Sequence, residues 1–221
     1  MKVLLTLGDS WTQGAELGRD ELPYGKLLRT QMKFDLFYNF GKAGASNEHM
    51  VQQLQSYFDQ YHRPYHQITV IGFLTNPHRT AYWPHGADFN VNGHQRSHWD
   101  QEAKEVFMQT WLHFHQDEIT VLRNSLAICA LQTWCARYNI SDYYFSGWNH
   151  YPTWLPCVNV DKIWAQGKET AADWFGATKY IDDYIQDAEN NPYIRPNHCH
   201  PNQLGHQLIA DRLQSWIEHR Q

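Results

Sequence analysis

Four short runs of apolar and β-branched residues, each halted by turn-forming residues and separated by stretches with helical spacing, restrict this chain to a parallel sheet covered by helices. The first run lies in KVLLTLG and stops at Gly8-Asp9-Ser10, as a buried parallel strand does when it ends in a functional turn. DLFYNFG (Asp35 to Gly41), QITVIGFL (Gln67 to Leu74) and Asp142 to Phe145 read as further strands. Between them, Tyr24 to Met32 reads as a helix. A second helix starts at Ser46, a good N-cap, carries Glu48 in its first turn and Met50, Leu54 and Phe58 on one face, and runs to about Tyr61. Gln101 to Tyr138 reads as one long helix or two in series, with Val106, Trp111, Ile119, Leu122, Leu126, Cys129 and Leu131 as apolar positions. The last segment, Pro201 to Gln221, places Leu204, Leu208, Ile209, Leu213 and Trp216 on one helical stripe. Such alternation gives an α/β protein whose parallel sheet is covered on both faces.

At 221 residues the chain suits a single domain over 1–221. Two loop-rich segments, about 77–100 and 146–196, are expected to run over its surface, the second capping the site. A net charge of -5 without any Lys/Arg run excludes nucleic acid as a natural partner. No apolar stretch reaches the ~20 residues that span a bilayer, and Val3 to Leu7 is too short for a signal-peptide core. The expectation is a soluble chain, cytoplasmic or otherwise, without membrane contact. Cys129, Cys135, Cys157 and Cys199 show neither metal spacing nor disulfide density, so free thiols in a reducing compartment are expected.

In an open parallel sheet the reactive groups gather outside the carboxyl ends of the strands. Gly8-Asp9-Ser10 ends the first strand, Asn39 to Gly44 the second and Thr75-Asn76 the third, and Asn197-His198-Cys199-His200-Pro201 lies just before the final helix. A nucleophile, two glycine-bearing turns, an amide and a histidine thus meet at one edge. His198, Cys199 and His200 do not make a metal site, because neighbours in an extended loop point to different sides and zinc needs further ligands.

These stretches resemble, in order, the four sequence blocks of the SGNH (GDSL-like) hydrolase family. GDSWTQG is similar to the first block and NFGKAGAS to the second, with Gly44 as its last glycine. IGFLTNP offers Asn76 for the third. The fourth, usually Asp-x-x-His, reads Asn197-His198-Cys199-His200 and is followed by PNQLGHQLIADRL, a typical ending of the family. The resemblance implies a three-layer α/β/α sandwich around about five parallel strands, in the flavodoxin-like arrangement, with no cofactor and no metal. It implies Ser10 as nucleophile and His200 as base. The oxyanion donors would be the backbone N–H groups of Ser10 and Gly44 and the Asn76 amide.

One residue departs from the pattern. Asn197 stands where the family places the aspartate that orients the histidine, and an amide supplies no negative charge to an imidazolium. Three outcomes are open: a Ser-His dyad aided by a backbone carbonyl, another acid arriving from the variable segment, or feeble activity. Asp9, Trp11, Trp148, Tyr151 and Trp154 are expected at the substrate, the aromatic group stacking on sugar rings, walling an acyl pocket or packing a satellite core. The implied function is hydrolysis of a short-chain acyl ester, such as an O-acetyl group on a carbohydrate, a small-molecule or carbohydrate ester thus being the expected partner. A glycan-binding module on the same scaffold, and thioesterase or lipase action, are the alternatives.

Overall fold

The computed structural model describes residues 1–77, 80–82, 87–89, 117–147, 151, 153–176, 191–195 and 200–220. Its elements, in chain order, are β1 (Lys2–Leu7), α1 (Ser10–Gln13), α2 (Tyr24–Gln31), β2 (Leu36–Asn39), α3 (His49–Gln60), β3 (Gln67–Leu74), β4 (Thr80–Tyr82), β5 (Ala87–Phe89), α4 (Asp117–Arg137), β6 (Ser141–Ser146), α5 (Ala171–Trp174) and α6 (Gln203–Glu218). Two 3-10 turns, Val160–Lys162 and Trp164–Gly167, lie between β6 and α5.

β2, β1, β3 and β6 form one sheet in that order, with every neighbouring pair parallel. The parallel sheet thus has four strands among the described residues, against an expectation of about five. The order reverses between β1 and β3, which makes their carboxyl ends the switch point where open α/β sheets hold their ligands. Ser10 follows β1 there and Asn76 follows β3. Within the segment expected to be wholly irregular, β4 and β5 pair as a short antiparallel ladder.

The strand period of two sorts apolar side chains to the two faces. Leu4, Ile71, Phe73 and Phe145 pack with Leu28 of α2 and with Ile209, Leu213 and Ile217 of α6. Val3, Leu5, Leu7, Val70 and Leu74 pack on the other side with Met50, Leu54 and Tyr57 of α3 and with Ile128, Leu131 and Cys135 of α4. Helices therefore cover both faces, the three-layer α/β/α arrangement.

Several expectations need correction. The second helix begins at His49 rather than after Ser46, because Ser46 and Asn47 bond to groups that are not first-turn amides: the Ser46 backbone N–H donates to the His49 ring and Asn47 Oδ1 accepts from the Thr75 N–H. Leu204, expected on the buried stripe of the last helix, sits in its first turn and is exposed, as are Leu122 and Leu126 on α4. Residues 101–116 of the segment expected to be helical, and 177–190 of the expected cap, lie outside the described residues. Among the described residues no helix is long and apolar enough to cross a membrane.

Candidate active site

The Ser10 side chain is delivered by a tight turn between β1 and α1, and the turn is gripped from three directions. Gly8 has φ 144, a conformation that glycine alone adopts easily, and a Cβ there would lie 2.6 Å from Thr12 Oγ1 and 2.7 Å from Phe73 Cβ. Gln53 of α3 reads both Gly8 backbone groups: its Oε1 accepts from the Gly8 N–H at 2.8 Å and its Nε2 donates to the Gly8 carbonyl at 2.9 Å. Asp9 caps α1, its Oδ1 accepting from the Trp11 N–H at 3.0 Å, while its Oδ2 accepts from the Thr75 hydroxyl at 2.6 Å. Asp9 is 1 % exposed, so its carboxylate joins the ends of β1 and β3 from within.

The loop after β2 closes on the same turn. Asn39 donates to the Thr12 carbonyl at 2.8 Å, the Lys42 N–H to the Gly8 carbonyl at 3.0 Å, and the Ala43 N–H to Gln13 Oε1 at 3.0 Å. Gly41 permits this approach, since a Cβ there would fall 2.3 Å from the Gln13 nitrogen. Gly44, in the left-handed region at φ 79, follows on that loop. Ser10 is the first residue of α1, so its backbone N–H has no partner within the helix and is free to serve a ligand. Gly44 and Asn76 are both partly buried.

His200 meets Ser10 across 190 residues of chain. Its Nε2 lies 2.9 Å from Ser10 Oγ. Its own loop is held by the Arg195 N–H donating to the His200 carbonyl, by a backbone bridge between Ile194 and Pro201, and by Asn202. Asn202 accepts from the Leu204 and Gly205 N–H groups as the N-cap of α6 and donates to the Pro192 carbonyl. Below the loop, His206 is fully buried with Nδ1 accepting from the Tyr24 N–H at 3.2 Å. Burial, and then the nearby His200 and Arg195, pull the His206 pKa down to about 3, so this ring is neutral.

On the far side of the His200 ring stands a carboxylate that sequence reasoning did not single out. Glu16 Oε2 lies 3.1 Å from His200 Nδ1, off the direction in which an Nδ1–H would point, and that buried nitrogen has no aligned hydrogen bond among the described residues. Glu16 comes from the loop that leaves α1, six residues after Ser10, rather than from the segment after β6 where another acid was sought. Asn197, His198 and Cys199 lie outside the described residues.

The expected aromatic substrate wall does not form as one cluster. Trp11 is 1 % exposed and packs between Phe73 and Phe175, and Tyr151 is 4 % exposed with its hydroxyl donating to the Thr75 carbonyl and accepting from Asn47. Both pack in the core of the described residues. Trp154 stacks on Tyr151 against the α3–α4 side, whereas Trp164 packs with Trp174 and Trp216 on the α6 side. Trp148 lies outside the described residues. Asp9 is turned inward to hold the turn. No group of three or more metal-ligating side chains occurs among the described residues.

The parallel α/β sheet thus brings a serine and a histidine into contact at its switch point. No family model matches the sequence, and no curated protein matches it. Solved structures do resemble it along almost its whole length. They include the psychrotrophic esterase EstA from Pseudoalteromonas sp. (15% identity, 98% of this chain and 97% of that one, TM-score 0.46). The acetyl xylan esterase AlAXEase is similar at 16% identity over 98% of this chain and 100% of that one, with a TM-score of 0.48. A member of the lipolytic protein G-D-S-L family from Veillonella parvula DSM 2008 is similar at 13% identity over 97% of each chain, with a TM-score of 0.44.

Proposed function

We propose that this protein is a serine esterase of the SGNH type that hydrolyses short-chain acyl esters, with an O-acetyl group on a carbohydrate as the favoured substrate. The observation that carries this reading is the 2.9 Å contact between His200 Nε2 and Ser10 Oγ. A serine hydroxyl is a weak nucleophile until an imidazole takes its proton, and this is the distance at which the transfer occurs. As Oγ bonds to the acyl carbon, the hydroxyl proton passes to Nε2 and the carbonyl electron pair moves onto oxygen. The resulting oxyanion takes hydrogen bonds from the Ser10 and Gly44 N–H groups and the Asn76 amide. Collapse of the tetrahedral intermediate expels the alcohol, which takes the proton from Nε2. Water, activated by the same nitrogen, then releases the acid and restores Ser10. The small acyl group is the reading we favour beside a nucleophile only 7 % exposed, with the β2 loop drawn onto its turn.

The test is release of acetate or p-nitrophenol from short-chain esters by the purified chain, together with labelling by a fluorophosphonate. Ser10→Ala abolishes labelling and lowers turnover by about 10⁴-fold or more, and Asn76→Ala lowers it by roughly 10²- to 10³-fold. A folded protein that releases neither product and takes no label is not an esterase.

A further inference from the structure

We propose that the Glu16 carboxylate is the positioning group of His200, occupying functionally the place that Asn197 leaves without a charge. The inference rests on the hydrolase reading of Ser10 and His200. For Nε2 to accept the Ser10 proton it must be bare, so the ring hydrogen of the neutral imidazole sits on Nδ1. Nδ1 is buried, and a buried N–H needs an acceptor. The Glu16 oxygen at 3.1 Å is a carboxylate in reach of it. Hydrogen bonds of this kind are commonly loose in a ligand-free site and tighten when substrate binds.

The path of the chain makes the placement specific. The Ala15 N–H donates to the Ser10 carbonyl at 2.9 Å and the Leu17 N–H to the Gly14 carbonyl at 3.2 Å, so Glu16 rides on the turn that closes the nucleophile's own helix. Acid and nucleophile are thereby fixed to one another, and the base enters between them from the other end of the chain. Glu16 itself has φ 69, in the left-handed region where glycine or asparagine is the usual occupant. The backbone alone gives no reason for glutamate there; a role for its carboxylate does. Neither neighbouring titratable side chain competes for the imidazole: Arg195 is ion-paired with Glu21, and the His206 ring is buried and neutral.

In the reaction the carboxylate stays ionised. When Nε2 gains the Ser10 proton the ring becomes an imidazolium, whose Nδ1–H donates to Glu16, and no proton passes to the carboxylate. When the alcohol departs with the Nε2 proton, the ring returns to its starting tautomer without having turned.

The experiment measures kcat and KM on a short-chain ester, and the fluorophosphonate labelling rate, for the full chain with Ser10→Ala as reference. Glu16→Gln is expected to lower kcat by about 10²- to 10⁴-fold with KM changed less than about threefold, and to slow labelling in proportion. Glu16→Asp recovers part of the loss, and added formate partly restores Glu16→Ala, a response that a turn-shaping residue would not give. Ser10-dependent turnover that survives Glu16→Gln within about threefold overturns the inference and leaves the esterase reading intact. So does a loss that neither aspartate nor formate repairs. Turnover unaffected by Ser10→Ala removes the esterase reading and this inference with it.

Discussion

The two loops that meet at Ser10 and His200 are held in opposite ways. The nucleophile's turn is fixed by partners from distant parts of the chain: Gln53 on α3 grips Gly8, Thr75 after β3 holds Asp9, and Asn39 after β2 reaches Thr12. The base's loop is tied mainly to its neighbours in sequence, with Pro192, Tyr193, Ile194 and Arg195 bonded to residues 200–202, and the Arg195–Glu21 ion pair adds one tie to the segment between α1 and α2. A turn pinned by three elements of the sheet moves only if the fold moves. The described flanks of the base's loop are bonded mainly to each other and have fewer ties to the sheet than the nucleophile's turn has. Glu16 belongs to the first region and touches the second, so it registers one against the other.

The sharpest way to break this contrast is to release the nucleophile's clamp. Gln53→Leu preserves most of the volume but leaves the buried Gly8 N–H and carbonyl without the partners they now have at 2.8 and 2.9 Å. The N–H is orphaned at roughly 1–3 kcal/mol, while the carbonyl keeps the Lys42 N–H and loses one bond of about 1 kcal/mol, so the expected loss of stability is about 3 kcal/mol, read by urea or thermal unfolding. Turnover should fall as well, because the peptide that aims Ser10 loses its support. A loss below about 1 kcal/mol would mean that the turn is held by its other bonds and that the contrast between the loops is smaller than drawn.

The base's side is probed by acid. His206 packs against Tyr24 and supports the start of α6, and its pKa in the folded chain lies near 3 against about 6.5 when unfolded. Below pH 6.5 the unfolded chain takes up a proton that the folded chain refuses, so the stability present at neutral pH is lost as pH falls toward 3. Between pH 6.5 and 4 this amounts to about 3 kcal/mol at most. His206→Asn, whose Oδ1 can take the Tyr24 N–H in place of Nδ1, should flatten that slope while lowering stability at neutral pH through lost packing. An unchanged slope would assign the acid lability to another group.

How much of this was legible in the sequence follows the same division. The strands could be read because burial on both faces writes itself as apolar runs: QITVIGFL coincides with β3, and Leu36–Asn39 lies inside DLFYNFG. Ser10 and His200 could be singled out because a strand end and a helix start are local features, and each carries its own turn residues. Gln53 could not, because on a helix surface it is one polar residue among several, and its bonds to Gly8 exist only once α3 is docked on β1. Trp11 and Tyr151 are the complementary case. Aromatic residues in polar stretches read as solvent-facing until the packing of Phe73, Phe175 and Trp154 around them is known. Glu16 lay six residues from the nucleophile and passed as loop polarity, since its meaning depends on a ring delivered from position 200.

The smallest expected effect separates folding from function at that same residue. With φ 69, Glu16 carries backbone strain on the order of 1 kcal/mol that glycine does not feel, while glycine costs a comparable amount in the freedom it gives the unfolded chain. Glu16→Gly should therefore leave stability within about 1 kcal/mol of the parent, on either side of zero, by chemical unfolding. It should nevertheless lower kcat as far as Glu16→Gln does, because both remove the carboxylate. A side chain present only to shape the turn gives the reverse pattern, with glycine neutral for turnover as well as for folding. Comparing the two substitutions for stability and kcat together thus decides whether the left-handed position is tolerated for the fold or retained for the imidazole beside it.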